Sequence, residues 1–254
     1  MVRTARDWGG NIVVFGLAIA LNAMATSIPL GGQTPPEISA KYPSLFTPAG
    51  FTFSIWGVIY LGLLFFIIYQ ALPTQRGNAT LGSISFPFKV NCVANAAWIL
   101  AWHYDFLILS VLIMACILAS LVGIYRTLDA PRSSVTSAER LLVHLPFSLY
   151  TAWISVAMIA NVSTVQTALG WDNVGTDPIT WTYLKLALAG AIGASVIARK
   201  ADIAFILVIA WAAYGISVKQ SATPEVAGAA TTLSILAMTL ALLELARRLY
   251  SRLK

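Results

Sequence analysis

The 254-residue sequence predicts an all-α protein that crosses a membrane several times. Hydrophobic residues make up 58% of the chain and charged residues only 10%, against about 25% charged residues in soluble domains. The mean hydropathy is +0.78, and long apolar runs recur along almost the whole length. Backbone polar groups inside a bilayer must be satisfied within the chain. We therefore expect a polytopic helical membrane protein.

The first apolar run resembles a secretory signal peptide. Arg3 and Arg6 precede the run from Ile12, and Ala23-Met24-Ala25 imitates a small-residue cleavage site. We interpret the run as retained and as the first membrane helix.

Eight apolar segments are expected to form helices. The seventh is short for a membrane span and carries Trp211 and Tyr214. The segments run approximately over Asn11–Leu30, Ala49–Ala71, Phe86–Tyr104, Phe106–Tyr125, Glu139–Val162, Ile179–Ala198, Ile203–Val218 and Val226–Arg247.

The distribution of basic residues predicts the topology. With a cytoplasmic N-terminus and eight spans, thirteen basic residues face inward and three outward, as the positive-inside rule requires. We expect both termini on the cytoplasmic side of a plasma, inner or organelle membrane. The inner set is Arg3, Arg6, Arg76, Lys89, Arg126, Arg132, Arg140, Arg199, Lys200, Arg247, Arg248, Arg252 and Lys254, and the outer set is Lys41, Lys185 and Lys219.

The charges of the chain argue against two other functions. The net charge of +6 comes from scattered basic residues, so we expect no nucleic-acid partner. Lys185 is expected to snorkel to the outer interface and Glu244 to pair with nearby arginines. Few ionisable groups therefore remain at mid-membrane depth, which disfavours an ion-coupled transporter.

The two cysteines are expected to be packing residues. Cys92 and Cys116 both lie in apolar runs.

The second apolar segment begins with turn residues and then carries rings. Pro48 and Gly50 mark the change from loop to helix. Phe51 follows, and Trp56 and Tyr60 are four residues apart and share one helical face. These rings fit either an interfacial aromatic belt or a binding site. The loop before them, from Gly31 to Pro48, is either a plain exposed loop or a lid over the helix ends.

The third segment carries a polar and aromatic stripe. Asn91, Asn95, Trp98 and Trp102 follow at helical spacing. An amide in hydrocarbon is costly without a partner, so the stripe should face protein or a cavity.

The fifth segment presents a similar face, with the small Ala157 between Trp153 and Asn161. The predicted topology brings the three faces to one level in the outer half of the membrane. We expect an apolar, aromatic pocket suited to a flat hydrophobic ligand with polar edges. Its predicted lining is Pro48, Phe51, Trp56, Tyr60, Asn95, Trp98, Trp102, Trp153, Ala157 and Asn161.

The two histidines are candidate metal or haem ligands by residue type. His103 falls at the outer end of the third segment and His144 near the inner end of the fifth, so the two should not share one metal ion. We predict no metal site.

These residues resemble the translocator protein family, the tryptophan-rich sensory proteins (TspO). The family has a Pro-x-Gly…Trp-x-x-x-Tyr/Phe helix start, matched by Pro48, Gly50, Trp56 and Tyr60. Its third helix has an Asn-x-x-Trp element, matched by Asn95 and Trp98. Its fifth helix has Leu-Leu-x-Pro…Trp…Asn, matched by Leu141-Leu142, Trp153 and Asn161.

Two features depart from the family pattern. Leu149 stands where the family has its fifth-helix proline, and Pro146 lies a turn earlier. The family fold has five helices, whereas this chain continues. The resemblance therefore divides the chain into a TspO-like five-helix ligand-binding bundle over residues 1–165 and three additional membrane helices over residues 166–254.

The resemblance implies a binder or sensor of hydrophobic molecules such as haem, porphyrins or sterol-like lipids, closed by the first loop. No cofactor is obligatory, although bound haem, porphyrin, another pigment or lipid fits the family, as does a homodimer. No acid–base or metal apparatus is evident, so we expect no enzyme, and the porphyrin breakdown claimed for the family stays open. Two alternatives also stay open: a transporter of such molecules, and a helix-docking subunit of a larger, pigment-containing membrane complex. The small residues Gly190, Gly193 and Ala194 of the sixth segment let helices approach closely. This face is expected to pack on the core bundle, to take the place of a dimer partner or to bind another membrane subunit.

Overall fold

The computed structural model describes residues 3–28, 32–129, 135–171 and 174–252. Within these ranges the chain forms nine helices and no strand. They are α1 (Ala5–Ser27), α2 (Pro35–Lys41), α3 (Ile55–Ala71), α4 (Ala79–His103), α5 (Leu107–Thr127), α6 (Ser137–Ala168), α7 (Pro178–Lys200), α8 (Ile203–Lys219) and α9 (Pro224–Arg252). Leu30, Gly31, Arg132 and Lys254, which enter the sequence predictions, lie outside the described residues.

The predicted apolar segments all coincide with helices. Seven helices of the described chain are long and apolar enough to cross a membrane, and α8, with 17 residues, is shorter. A helix of that length extends about 26 Å, slightly less than the roughly 30 Å hydrocarbon core. The prediction of an all-α polytopic membrane protein is confirmed.

Helix ends differ from the apolar runs where polar residues cap them. The third run was expected from Phe86, but α4 begins at Ala79 because the Asn78 side chain accepts a hydrogen bond from the Leu81 N–H. Thr136 caps α6 in the same way, accepting from the Glu139 N–H. Polar first turns are therefore helical although they carry no hydrophobic signal.

The chain forms two compact units, one of residues 1–38 and 55–154 and the other of residues 39–54 and 155–254. The sequence-based division after residue 165 concerns the extent of the family-like bundle and stays a prediction.

Phenylalanine rings fill one end of the first unit. Phe66 of α3, Phe88 of α4 and Phe147 of α6 meet with centroid separations of 4.9–5.9 Å and steep interplanar angles. Such edge-to-face pairs are favoured by the ring quadrupole. Trp56, on α3, lies nearly three turns from Phe66, so the rings of the predicted site form a separate level along the helices.

The irregular start of α6 accommodates its proline. A π-helical turn over Arg140–His144 immediately precedes Pro146, which cannot donate to the preceding turn. The Pro146 ring lies against α3 at Gly62, where an added Cβ atom would be 3.1 Å from the proline Cγ. The displaced proline thus fits a glycine on the neighbouring helix.

A buried polar network joins α1 to α3 and α4 in the first unit. The Arg3 guanidinium donates to the backbone carbonyl and side-chain oxygen of Gln70 at 2.9 and 2.6 Å, and it pairs with Asp7 at 2.7 Å. Asn11 also donates to Gln70 and accepts from Ser85. These partners offset the desolvation cost of the buried arginine, and the network joins the helix ends.

In the second unit, α8 is the most enclosed helix, with residues such as Phe205, Ile209 and Ile216 at most 2% exposed. Glycines of α7 permit its close packing. An added Cβ atom at Gly193 would lie 2.7 Å from Ile206, and one at Gly190 would lie 2.9 Å from Leu233 of α9. The predicted small-residue face of α7 therefore packs on α8 and α9 within this unit.

The segment preceding α3 docks on α8 within the second unit. The Ala49 N–H donates to the Gly215 carbonyl at 2.9 Å, and the Trp211 indole N–H donates to the Thr52 carbonyl at 3.0 Å. The Thr52 side chain occupies the space in which a Cβ atom at Gly215 would lie. A short, glycine-bearing helix thus fixes the loop that leads into the second predicted span.

Candidate functional site

Four rings form a cluster in the first unit, in which Tyr150 and Trp153 are buried and Trp56 and Tyr60 are half-buried. Trp56 stacks on Tyr60 with centroids 5.2 Å apart. The edges of Tyr150 and Trp153 from α6 meet the same indole at 5.7 and 6.3 Å. Two of these residues are on α3 and two on α6, and helical spacing places each pair on one face of its own helix. The packing of α3 against α6 brings the two faces together.

Asn95 connects this cluster to α1. Its side-chain oxygen accepts a hydrogen bond from the Asn22 amide at 2.7 Å, and its own amide donates to the Tyr150 hydroxyl at 3.0 Å. Asn95 is only 3% exposed. The expectation that this amide faces protein is met, and it ties α1, α4 and α6 together.

The Tyr60 hydroxyl is a polar group of the cluster that lacks a well-formed hydrogen bond. It is buried and has no hydrogen bond of acceptable geometry to any described residue, although the Asn95 side chain is close enough to interact with it. Buried polar groups are nearly always bonded. The site therefore offers an unused donor beside aromatic surface.

Trp98 and Trp102 form a second stack on α4, with centroids 5.4 Å apart and planes 17° from parallel. The Trp102 indole N–H donates to the Pro35 carbonyl at 3.3 Å, at the start of α2. The beginning of the predicted loop thus contacts the helix that carries the stripe.

α2 itself is stabilised at its start by Glu37. The Thr34 backbone N–H and hydroxyl donate to this carboxylate at 2.7 and 2.8 Å. These bonds, the backbone one first, lower the pKa of Glu37 from its ordinary value.

The other four predicted site residues belong to the second unit. Phe51 meets Trp211 and Tyr214 of α8 at 5.4 and 5.9 Å. Pro48 and Asn161 are buried and Ala157 is half-buried. The first unit therefore holds six of the predicted residues, namely Trp56, Tyr60, Asn95, Trp98, Trp102 and Trp153. The expectation that all ten residues line one pocket stays a prediction.

The second unit also holds a hydroxyl cluster around Lys185. The ammonium donates to Ser163 at 2.6 Å, and the Ser163 and Ser44 hydroxyls share a hydrogen bond of 2.5 Å. Lys185 therefore hydrogen-bonds to protein hydroxyls, a contact that the expectation of snorkelling to the outer membrane interface did not include. Glu244 pairs with Arg247 and Arg248 at 2.7 and 2.8 Å, as the sequence spacing predicted.

The histidines are held in different places. His103 bonds through Nδ1 to the Ile99 carbonyl at 2.7 Å at the end of α4, while His144 is in the π-helical turn of α6. Among the described residues, no group of three or more His, Cys, Asp or Glu side chains is arranged to hold a metal ion.

Sequence reasoning missed two members of the cluster, Tyr150 and Asn22. Tyr150 lies three residues before Trp153, so it shares the predicted face of the fifth segment. Asn22 is an amide within the first apolar run, the same signal that identified Asn95. The signals that identified Trp153 and Asn95 could therefore also have identified Tyr150 and Asn22.

The fold defines a polytopic α-helical membrane protein, with a cluster of rings and amides among the helices of its first unit. The family model described as TSPO-like protein matches residues 8–243, and the chain belongs to that family. The match confirms the predicted resemblance and extends beyond residue 165 to α9. No curated protein and no solved structure shows significant similarity to the chain.

Proposed function

We propose that the protein binds a hydrophobic small molecule at the ring cluster of the first unit, as a membrane binder or sensor. Membership of the TSPO-like family supports this class of function, and the family is generally non-enzymatic. Tetrapyrroles such as haem and porphyrins, or sterol-like lipids, are the ligand classes that we favour.

The unsatisfied Tyr60 hydroxyl is the observation that carries the proposal. A ligand with an acceptor at its edge would supply the missing partner, and the adjacent Trp56 face would contact its apolar body. A porphyrin carboxylate or a sterol hydroxyl could each accept such a bond. A buried hydroxyl otherwise loses its hydration without return, so a ligand explains why tyrosine rather than phenylalanine stands at this position.

The site orients a ligand by two kinds of contact. The rings provide flat apolar surface, for which pairwise aromatic contacts add about 0.5–1.5 kcal/mol beyond burial. Asn95 is engaged by Asn22 and Tyr150, so it fixes the position of the α6 rings relative to α4. The amide therefore acts on the site through Tyr150 as well as through its own position beside Tyr60.

Titration of the detergent-solubilised protein with protoporphyrin IX tests the proposal. Trp56→Leu removes the central ring, and we expect an affinity about tenfold weaker from the lost aromatic surface. Trp171→Phe is the matched control because Trp171 is 63% exposed and lies outside the cluster. Binding is followed by the porphyrin absorbance, which the loss of a tryptophan does not affect.

The thermal midpoint of each variant separates lost contacts from lost folding. Weaker binding by folded Trp56→Leu, with Trp171→Phe unchanged, supports the site. Equal affinity for all three proteins would remove it.

We also propose that both termini face the cytoplasm, with α8 as a short eighth span. The predicted positive-inside distribution supports this orientation. Reporter fusions at each terminus test it, and a non-cytoplasmic reporter at either end would contradict it.

A further inference from the structure

A groove outside the ring cluster runs between α4 and α5 on the surface of the first unit. Its volume is about 530 Å³, within the range of small-molecule sites. Its apolar lining includes Val93, Ala94 and Ala97 of α4 and Leu112 of α5. From residue 89 to residue 97, α4 rises about 12 Å, which is long enough for a substantial part of an acyl chain.

One end of the groove is cationic. Lys89 lines it, and its side chain crosses α1 so closely that a Cβ atom at Gly10 would lie 2.9 Å from the lysine Cε. The ammonium donates to the backbone carbonyl of Arg6 at 3.2 Å, which holds it against the first turn of α1. Neither Lys89 nor Arg6 pairs with a carboxylate among the described residues.

An apolar groove that ends at a lysine ammonium matches the amphipathic structure of a lipid. We propose that this groove binds one acyl chain of an anionic phospholipid, whose phosphate or acidic headgroup contacts Lys89. The apolar lining accepts the chain, and the cation discriminates between headgroups by charge.

A second copy of the chain fits the groove less well. In a two-fold interface the same patch meets itself, so each copy would bring one Lys89 ammonium and no carboxylate from the groove lining to pair with it. An unpaired charge is costly to bury. An anionic lipid instead supplies the opposite charge.

Native mass spectrometry of the full chain, with equimolar phosphatidylglycerol and phosphatidylcholine of identical acyl chains, tests this proposal. We expect preferential retention of phosphatidylglycerol. Lys89→Gln should reduce the preference about fivefold, the contribution of one cation near an anionic lipid. Lys219→Gln is the matched control. It removes the same charge at an exposed position at the end of α8, away from the groove.

Ala97→Phe fills the groove without changing its charge and should reduce the retention of both lipids. Equal retention of the two lipids by the wild type, or an unchanged preference in Lys89→Gln, would overturn the proposal. So would a dimer that Ala97→Phe dissociates while lipid retention is unaffected, because the groove would then be a protein interface.

Discussion

Removing the hydroxyl of Tyr60 should separate the stability of the protein from its function. This hydroxyl has no hydrogen bond of good geometry in the described part of the chain, so Tyr60→Phe removes only its weak interaction with Asn95 and should leave the thermal midpoint of the unliganded protein nearly unchanged. In the complex the hydroxyl donates to the ligand, and one such bond contributes about 0.5–1.5 kcal/mol. Affinity for protoporphyrin IX should therefore fall about 2- to 13-fold.

Tyr150→Phe is the matched control, because it removes a hydroxyl that is bonded. The Asn95 amide donates to it at 3.0 Å, and hydrogen bonds between membrane helices contribute about 0.6–2 kcal/mol. The midpoint should fall by about 2–4 °C for each kcal/mol lost. Differential scanning fluorimetry in detergent measures both variants. A drop in midpoint for Tyr60→Phe as large as that of Tyr150→Phe, or unchanged ligand affinity, would refute the reasoning.

Three further predictions concern the framework of the site. Gly62→Ala should lower the thermal midpoint because the new methyl group would meet the rigid Pro146 ring at 3.1 Å. Gly57→Ala on the same helix is the control: its methyl group meets no atom within 4 Å, so the change should be neutral or stabilising by up to about 1 kcal/mol. Equal effects of the two substitutions would contradict the packing. Gly215→Ala should displace Thr52 and expose the preceding loop to limited proteolysis, and an unchanged digestion pattern would argue against the docking. Asp177 caps α7, and its pKa is lowered chiefly by the Thr180 hydroxyl. The stability that the carboxylate contributes is therefore present above its unfolded pKa and is lost as pH falls through its folded pKa. Asp177→Asn should reduce the fall of the thermal midpoint on acidification, and parallel pH profiles of the two proteins would exclude this contribution.

The helices and the stripe on α4 could be predicted because both depend on local periodicity. Asn91, Asn95, Trp98 and Trp102 were expected on one protected face, and each is at most 8% exposed. Apolar residues must face lipid or protein in a membrane, and an amide must find a partner, so burial follows from residue type and spacing.

The partners of these residues could not be predicted because they come from distant parts of the chain. No spacing rule pairs Asn22 with Asn95, 73 residues away. Likewise, Phe51 shares its segment with Trp56, yet it packs on Trp211 of the predicted seventh segment. The seventh segment was recognised from its apolar residues, but no local rule assigns Trp211 a partner about 160 residues earlier in the chain.

Photoaffinity labelling tests the central claim most directly. A diazirine-bearing porphyrin is incubated with the protein in detergent, irradiated, and mapped by mass spectrometry. We expect modification at α3 and α6 around Trp56, Tyr60 and Trp153, suppressed by excess unlabelled porphyrin and weakened in Tyr60→Phe. Modification confined to the lipid-facing surfaces, or insensitive to the competitor, would show that the buried rings bind no such ligand.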